Sequence, residues 1–124
     1  METKLKKIIT AILLIAISFQ VSAQKKVLIS NQTDIIEAAV KVFDESMKNE
    51  GGLFELAKEF EFTGVYIFDI TIHKKGEVAS VFVVENTEGT IPTQNRLKDF
   101  VMDMKMGFKM PKDKRYKFQY TFKF

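Results

Sequence analysis

The chain has 124 residues, of which 19 are Lys or Arg, 16 are Asp or Glu, 1 is His and none is Cys or Trp. This length fits a single domain, and the lack of Cys excludes disulfides, thiolate metal sites and a cysteine nucleophile. A hydrophobic content of 46% with 12 Phe is enough for a packed core and argues against disorder. The composition therefore predicts a small folded domain with little catalytic equipment.

The first 23 residues have the three parts of a secretory signal peptide. Lys4, Lys6 and Lys7 make a basic start, residues 8–19 form an uncharged apolar run, and Val21-Ser22-Ala23 ends the segment. The apolar run is shorter than the roughly 20 residues of a membrane-spanning helix, although an uncleaved anchor is the alternative. We expect cleavage after Ala23, which leaves a single domain of residues 24–124 in the periplasm or outside the cell, with no stable membrane anchor.

The net charge of the domain is smaller than that of the whole chain. The leader holds three Lys and one Glu, so residues 24–124 carry a net charge of +1 where the whole chain carries +3. This small excess gives no reason to expect nucleic acid as a partner. Positive charge gathers near the C-terminal end, at Lys109, Lys112, Lys114, Arg115, Lys117 and Lys123. Such a run is either a solvated face or a site for an anionic headgroup or an acidic peptide.

An amphipathic helix is predicted first, with Thr33 as its N-cap and Asp34 in its first turn. Its apolar residues recur at helical spacing, at Ile36, Ala39, Val40, Phe43 and Met47. The two glycines at positions 51 and 52 end it. Residues 53–63 fit either a short second helix or an extended approach to a sheet.

A β-hairpin follows. Val65–His73 alternates, with Tyr66, Phe68, Ile70 and Ile72 on one face, and Lys74-Lys75-Gly76 supplies a tight turn. Residues 77–85 return as an antiparallel strand that is apolar on both faces. Either both faces are covered within one molecule, or the second face packs against a neighbour.

A second amphipathic helix and a last strand complete the pattern. The helix opens at Pro92 or Thr93 and stops at Gly107 and Pro111, with an apolar stripe at Leu97, Phe100, Val101 and Met104. Residues 116–124 alternate strictly between aromatic and polar side chains, which indicates a strand with one buried face. The predicted fold is α+β: a three-stranded antiparallel sheet packed with two amphipathic helices in the order α-β-β-α-β. Four side chains are predicted to share its core: Phe82, Val101, Phe118 and Phe122.

Candidate catalytic residues lack partners. His73 ends a strand beside two lysines, Ser80 has no evident base, and the helix acids Asp44 and Glu45 suit a solvated face. We therefore predict no catalytic, cofactor or metal site, and a protein that is not an enzyme.

The pattern over residues 64–124 resembles the C-terminal domain of the TonB family. The shared features are a glycine before the first strand, a glycine turn, a valine-rich second strand, a helix, and a proline before a final aromatic strand. They are carried by Gly64, Val65, Ile67, Gly76, Val78, Val81, Val83, Leu97, Val101, Phe108, Pro111 and residues 118–124. The resemblance covers about half of the chain. The chain departs from the family in two ways. It has only 2 Pro in total, hence no Pro-rich spacer, and it lacks the Tyr-Pro motif ahead of the first strand.

The resemblance implies a way of binding. In that family the final strand region receives the TonB box, a short segment of outer-membrane transporters. An edge strand also offers unpaired backbone groups to any extended peptide. We therefore expect a non-enzymatic periplasmic interaction module without a cofactor, whose partner is an envelope protein or peptide. The alternative is a homo-oligomeric structural or accessory envelope protein. The expected peptide-binding residues are Tyr116, Lys117, Phe118, Gln119, Tyr120, Thr121, Phe122 and Lys123.

Overall fold

The computed structural model describes residues 26–124, so the predicted signal peptide, residues 1–23, lies outside the described part. The described residues confirm an α+β fold in which the strand and long-helix order is α-β-β-α-β. The ambiguous segment after the first helix is an additional short helix. The elements are α1 Gln32–Met47, α2 Gly52–Glu59, β1 Val65–His73, β2 Glu77–Thr87, α3 Ile91–Asp103 and β3 Arg115–Lys123.

Helix α1 begins earlier than predicted, because Asn31 and not Thr33 is its N-cap. The Asn31 side-chain oxygen accepts hydrogen bonds from the backbone N–H groups of Thr33 at 2.9 Å and Asp34 at 3.3 Å. It thereby satisfies two donors that have no partner inside the helix. The helix buries the residues at i, i+4 and i+8 of one stripe: Ile35, Ala39 and Phe43.

The three strands form one antiparallel sheet in the order β2-β1-β3. The central strand β1 buries every second side chain, while the alternate residues on its other face stay half-buried. Helix α3 packs on β2 and helix α1 packs on β3, so the helices and the inner face of the sheet enclose the core. The inner face of β1 consists of Tyr66, Phe68, Ile70 and Ile72, all fully buried.

The prediction that Phe82 lies in the core is wrong, whereas Val101, Phe118 and Phe122 are buried as predicted. Strand β2 contains two register shifts against β1. The first lies between Val78 and Ser80, and each shift inserts one residue that has no partner on β1. A bulge moves the alternation by one residue, so Val81 takes the inner face and Phe82 lies on the outer face, 69% exposed.

Residues 104–110 form a strap across the hairpin end of the sheet. The sequence pattern predicts only that a helix ends in this region. Met106, Phe108 and Met110 alternate into the core and are nearly fully buried. The Met106 N–H donates to the Gly76 carbonyl at 2.8 Å. Gly76 has a φ of 74°, and a Cβ there would lie 2.5 Å from the carbonyl oxygen of Phe108. The close approach of strap and hairpin turn therefore requires glycine.

Candidate functional site

Strand β3 lies at an edge of the sheet. It pairs with β1 in one unbroken register, from Val65 opposite Lys123 to His73 opposite Arg115. Among residues 26–124, no strand pairs with its other side. Nine consecutive residues therefore form an edge of regular register.

The register determines which backbone groups face outward. The Phe124 N–H donates to the Gly64 carbonyl at 3.0 Å, which makes these two residues a hydrogen-bonded pair. Such pairs alternate along an antiparallel ladder. Every second residue of β3 therefore bonds to β1, and the residues between direct both N–H and C=O away from the sheet. Arg115 at the start of the strand is the first of these outward residues, and we call the four that follow it the open edge: Lys117, Gln119, Thr121 and Lys123.

The eight residues predicted to bind a peptide divide into two groups. The side chains of Phe118 and Phe122 are buried, and those of Tyr116 and Tyr120 are half-buried on the same inner side. The four open-edge residues have exposed side chains. One group holds the strand in place, and the other offers both backbone and side chains to a partner.

An aromatic layer fixes β3 against α1. The Phe43 ring lies 5.8 Å from the Phe118 ring, 5.1 Å from that of Tyr120 and 5.9 Å from that of Phe122, measured between centroids. The Tyr120 hydroxyl donates to the Asp44 carboxylate at 2.5 Å. Burial, together with this hydrogen bond and the nearby negative charge, raises the pKa of Tyr120 well above its ordinary value. These contacts hold the inner face of β3 against α1. The outer edge of β3 has no partner strand among the described residues.

A cavity of about 350 Å³ opens at the C-terminal end of β3. Its lining is mainly apolar, with one lysine from α2 and one from β3. We call it the end groove; it is lined by Met47, Phe54, Ala57, Lys58, Phe62, Lys123 and Phe124. Sequence reasoning missed it because the lining comes from four separate segments of the chain, and no local pattern marks their convergence.

A second depression, of about 370 Å³, lies on the outer face of the sheet beside the open edge. Its residues come from all three strands: Asp69, Thr71, Ser80, Phe82 and Lys117. Gln119 donates from its side-chain nitrogen to Asp69 at 3.3 Å, a long contact across β3 and β1. This face mixes polar side chains with one exposed aromatic ring.

The described residues contain no group of three or more His, Asp or Glu side chains that could hold a metal ion. His73 is half-buried at the end of β1, in register with Glu77 on β2 and Arg115 on β3. Ser80 is exposed on β2. Over residues 26–124, no helix has both the length and the apolar character that crossing a membrane requires.

Comparisons with protein-family models, curated proteins and solved structures each find no match to this chain.

Proposed function

We propose that this protein is a non-enzymatic interaction module of the cell envelope that binds an extended peptide by strand addition at β3. The observation that carries the proposal is the unbroken open edge. Its four residues direct backbone donors and acceptors outward, and no described strand pairs with them. Each backbone hydrogen bond gained by a partner strand is worth about 0.5–1.5 kcal/mol net, so a short peptide can bind through several of them.

Side chains around the edge suggest which peptide fits. Lys117 and Lys123 are exposed at the two ends of the open edge, and Lys58 borders the end groove. A bound strand places alternate side chains on opposite faces. A peptide with acidic residues opposite the lysines and an apolar residue over the end groove would satisfy both surfaces.

The resemblance to the TonB C-terminal domain supports the same mode of binding. The described residues have the strand and helix order that the resemblance implies, and β3 corresponds to the strand that receives a transporter segment in that family. We therefore propose an outer-membrane transporter segment as one candidate partner, in the periplasm to which the leader would direct the chain. With 2 Pro in total the chain has no Pro-rich spacer, and energy transduction is not part of the proposal.

Self-association is the second candidate function. Phe82 is 69% exposed and Val84 is 46% exposed on β2, and large exposed apolar side chains often mark contact surfaces. Sedimentation over a range of protein concentrations separates the candidates. A constant monomer favours the peptide module, and a dimer that is lost in Phe82→Ser favours the structural role.

A pair of variants at Gln119 tests strand addition. Proline at this position removes an outward N–H without removing a bond to β1, so Gln119→Pro should keep the fold and block the partner strand. The matched control, Gln119→Ala, removes the side chain and keeps the backbone. In capture experiments from envelope extracts, partners held by the wild type should be held by Gln119→Ala and lost by Gln119→Pro, with circular dichroism verifying the fold of both.

A titration of the ¹⁵N-labelled protein with a peptide from the captured partner then locates the contact. Strand addition predicts amide shifts along β3, and weaker binding by the double variant Lys117→Glu with Lys123→Glu for an acidic peptide. Added salt should weaken wild-type binding through screening. Shifts confined to Gln32–Met47, with β3 unchanged, would refute the proposal and place the interaction on α1.

A further inference from the structure

A second surface, at the far end of the sheet from the end groove, has a distinct chemistry. A cavity of about 530 Å³ lies between the hairpin turn, the strap and the first described residues. This volume falls in the range of small-molecule sites. We call it the lysine pocket; it is lined by Leu28, Lys74, Lys75, Lys109, Met110, Pro111 and Lys112.

Backbone hydrogen bonds hold the walls of the lysine pocket together. The Ile29 N–H donates to the Lys109 carbonyl, and the Lys109 N–H donates to the Val27 carbonyl, both at 2.8 Å. The Met110 N–H donates to the Lys74 carbonyl at 3.1 Å. Met110 itself is buried in the core, with 3% of its surface exposed. Three chain segments are therefore fixed relative to one another, and the cavity is formed before any ligand arrives.

The lining combines positive charge with apolar surface. Four lysines contribute, and no Asp or Glu does. Among the described residues the one salt bridge joins Lys48 to Glu45, far along the chain from the pocket. The remaining lining is apolar, and Leu28 is 64% exposed at its rim. Because four lysine side chains share this lining, an anion bound among them would offset the repulsion between their like charges.

We infer that the lysine pocket binds an anionic amphiphile, with its acidic headgroup between the lysines and a single hydrocarbon chain against Leu28, Met110 and Pro111. A free inorganic anion would leave the apolar floor in contact with water, and a neutral apolar molecule would leave the lysines unpaired. An anion that carries a hydrocarbon chain meets both requirements at once. This site is separate from the open edge, so it does not depend on the proposed peptide binding.

The test compares three probes by calorimetry and by ¹⁵N amide shifts, on protein purified as its host cell processes it. The probes are decyl phosphate below its micelle concentration, inorganic phosphate, and decyltrimethylammonium, which has the same chain and the opposite charge. Decyl phosphate should bind saturably and shift the amides of Lys74, Lys75 and residues 109–112. Inorganic phosphate and decyltrimethylammonium should each bind about tenfold more weakly or not at all.

Two matched double variants locate the site. Lys75→Glu with Lys112→Glu should weaken decyl phosphate binding by about tenfold or more, since it reverses the charge of two of the four lysines in the lining. Lys41→Glu with Lys98→Glu makes the same change in net charge away from the pocket and should leave the affinity within about twofold. Equal binding of inorganic phosphate or of decyltrimethylammonium, equal loss in both variants, or shifts confined to the end groove would each overturn the inference.

Discussion

The two edges of the sheet are built differently. On β2, two bulges break the register, a bridge from Lys105 covers Glu77, and α3 packs against the strand. On β3, nine residues keep one register and no described strand covers the outer side. Bulges, covering segments and charged side chains such as lysine all protect an edge against unwanted pairing. The fold therefore interrupts the β2 edge with bulges and covers its first residue, and it leaves the β3 edge, which carries Lys117 and Lys123, regular and available to a partner.

The largest expected effect is the difference in stability loss between replacing an aromatic residue on β3 and replacing one on β2. Phe122 on β3 is fully buried, while Phe82 on β2 is 69% exposed. Phe122→Ala should lower the free energy of unfolding by about 3–5 kcal/mol, and Phe82→Ala by less than about 1 kcal/mol. Urea denaturation measures both. Comparable losses in the two variants would mean that the outer face of β2 is covered, which would break the comparison.

The second prediction concerns the contact between the strap and the hairpin turn at the start of β2. Gly76 and Gly107 both have positive φ, at 74° and 81°, but only Gly76 has backbone atoms close to where a Cβ would lie. Gly107→Ala should cost about 1–2 kcal/mol from the left-handed conformation alone. Gly76→Ala should cost more, because the turn or the strap must also move. Thermal and urea unfolding of the two variants measure the difference, and equal losses would show that the strap does not hold the turn.

The smallest effect concerns the inner side of β3. Asp44→Asn should lower the pKa of Tyr120 towards its ordinary value, because it removes a negative charge, and should cost at most about 1 kcal/mol near neutral pH since the pair is partly exposed. A phenol whose pKa is raised in the folded state stabilises the fold below the ordinary pKa of 10.0. That contribution is lost as the pH rises above this value, and the loss should be weaker in Asp44→Asn.

Absorbance of tyrosinate during a pH titration follows this directly. The buried phenol of Tyr66, whose pKa burial also raises, is the internal control and should titrate alike in both proteins. An unchanged Tyr120 titration in Asp44→Asn would mean that α1 does not hold the edge strand through this contact.

The predictability of the fold follows from the locality of the signals. Alternation in β1 and β3 and the helical spacing of Leu97 and Val101 depend on residues close in sequence, and these elements were predictable. The bulges in β2 are not predictable, because a run of Val and Phe is apolar on both faces and fits either register equally well. The N-cap lies at Asn31, two residues before the predicted Thr33, because both are good capping residues and only the backbone geometry distinguishes them.

The candidate sites were predictable to different degrees. The alternation of residues 116–124 separates Lys117 and Gln119 from the buried aromatic residues, so the exposure of the open-edge side chains is predictable from the sequence. That β3 lies at an edge depends on pairing across about 50 residues, which no local pattern reports. The lysine pocket depends on Leu28 meeting Lys109 and Lys74, and such convergence appears only in the folded chain.

Amide hydrogen exchange along β3 tests the open edge most directly. In the protein without a partner, the amides of Tyr116, Phe118, Tyr120 and Phe122 bond to β1 and should exchange slowly, while those of Lys117, Gln119, Thr121 and Lys123 should exchange fast. The account predicts this residue-by-residue alternation, and predicts that the fast set becomes protected when a peptide binds. Slow exchange at all eight amides in the unbound protein would show that the edge is already paired, and would contradict the account.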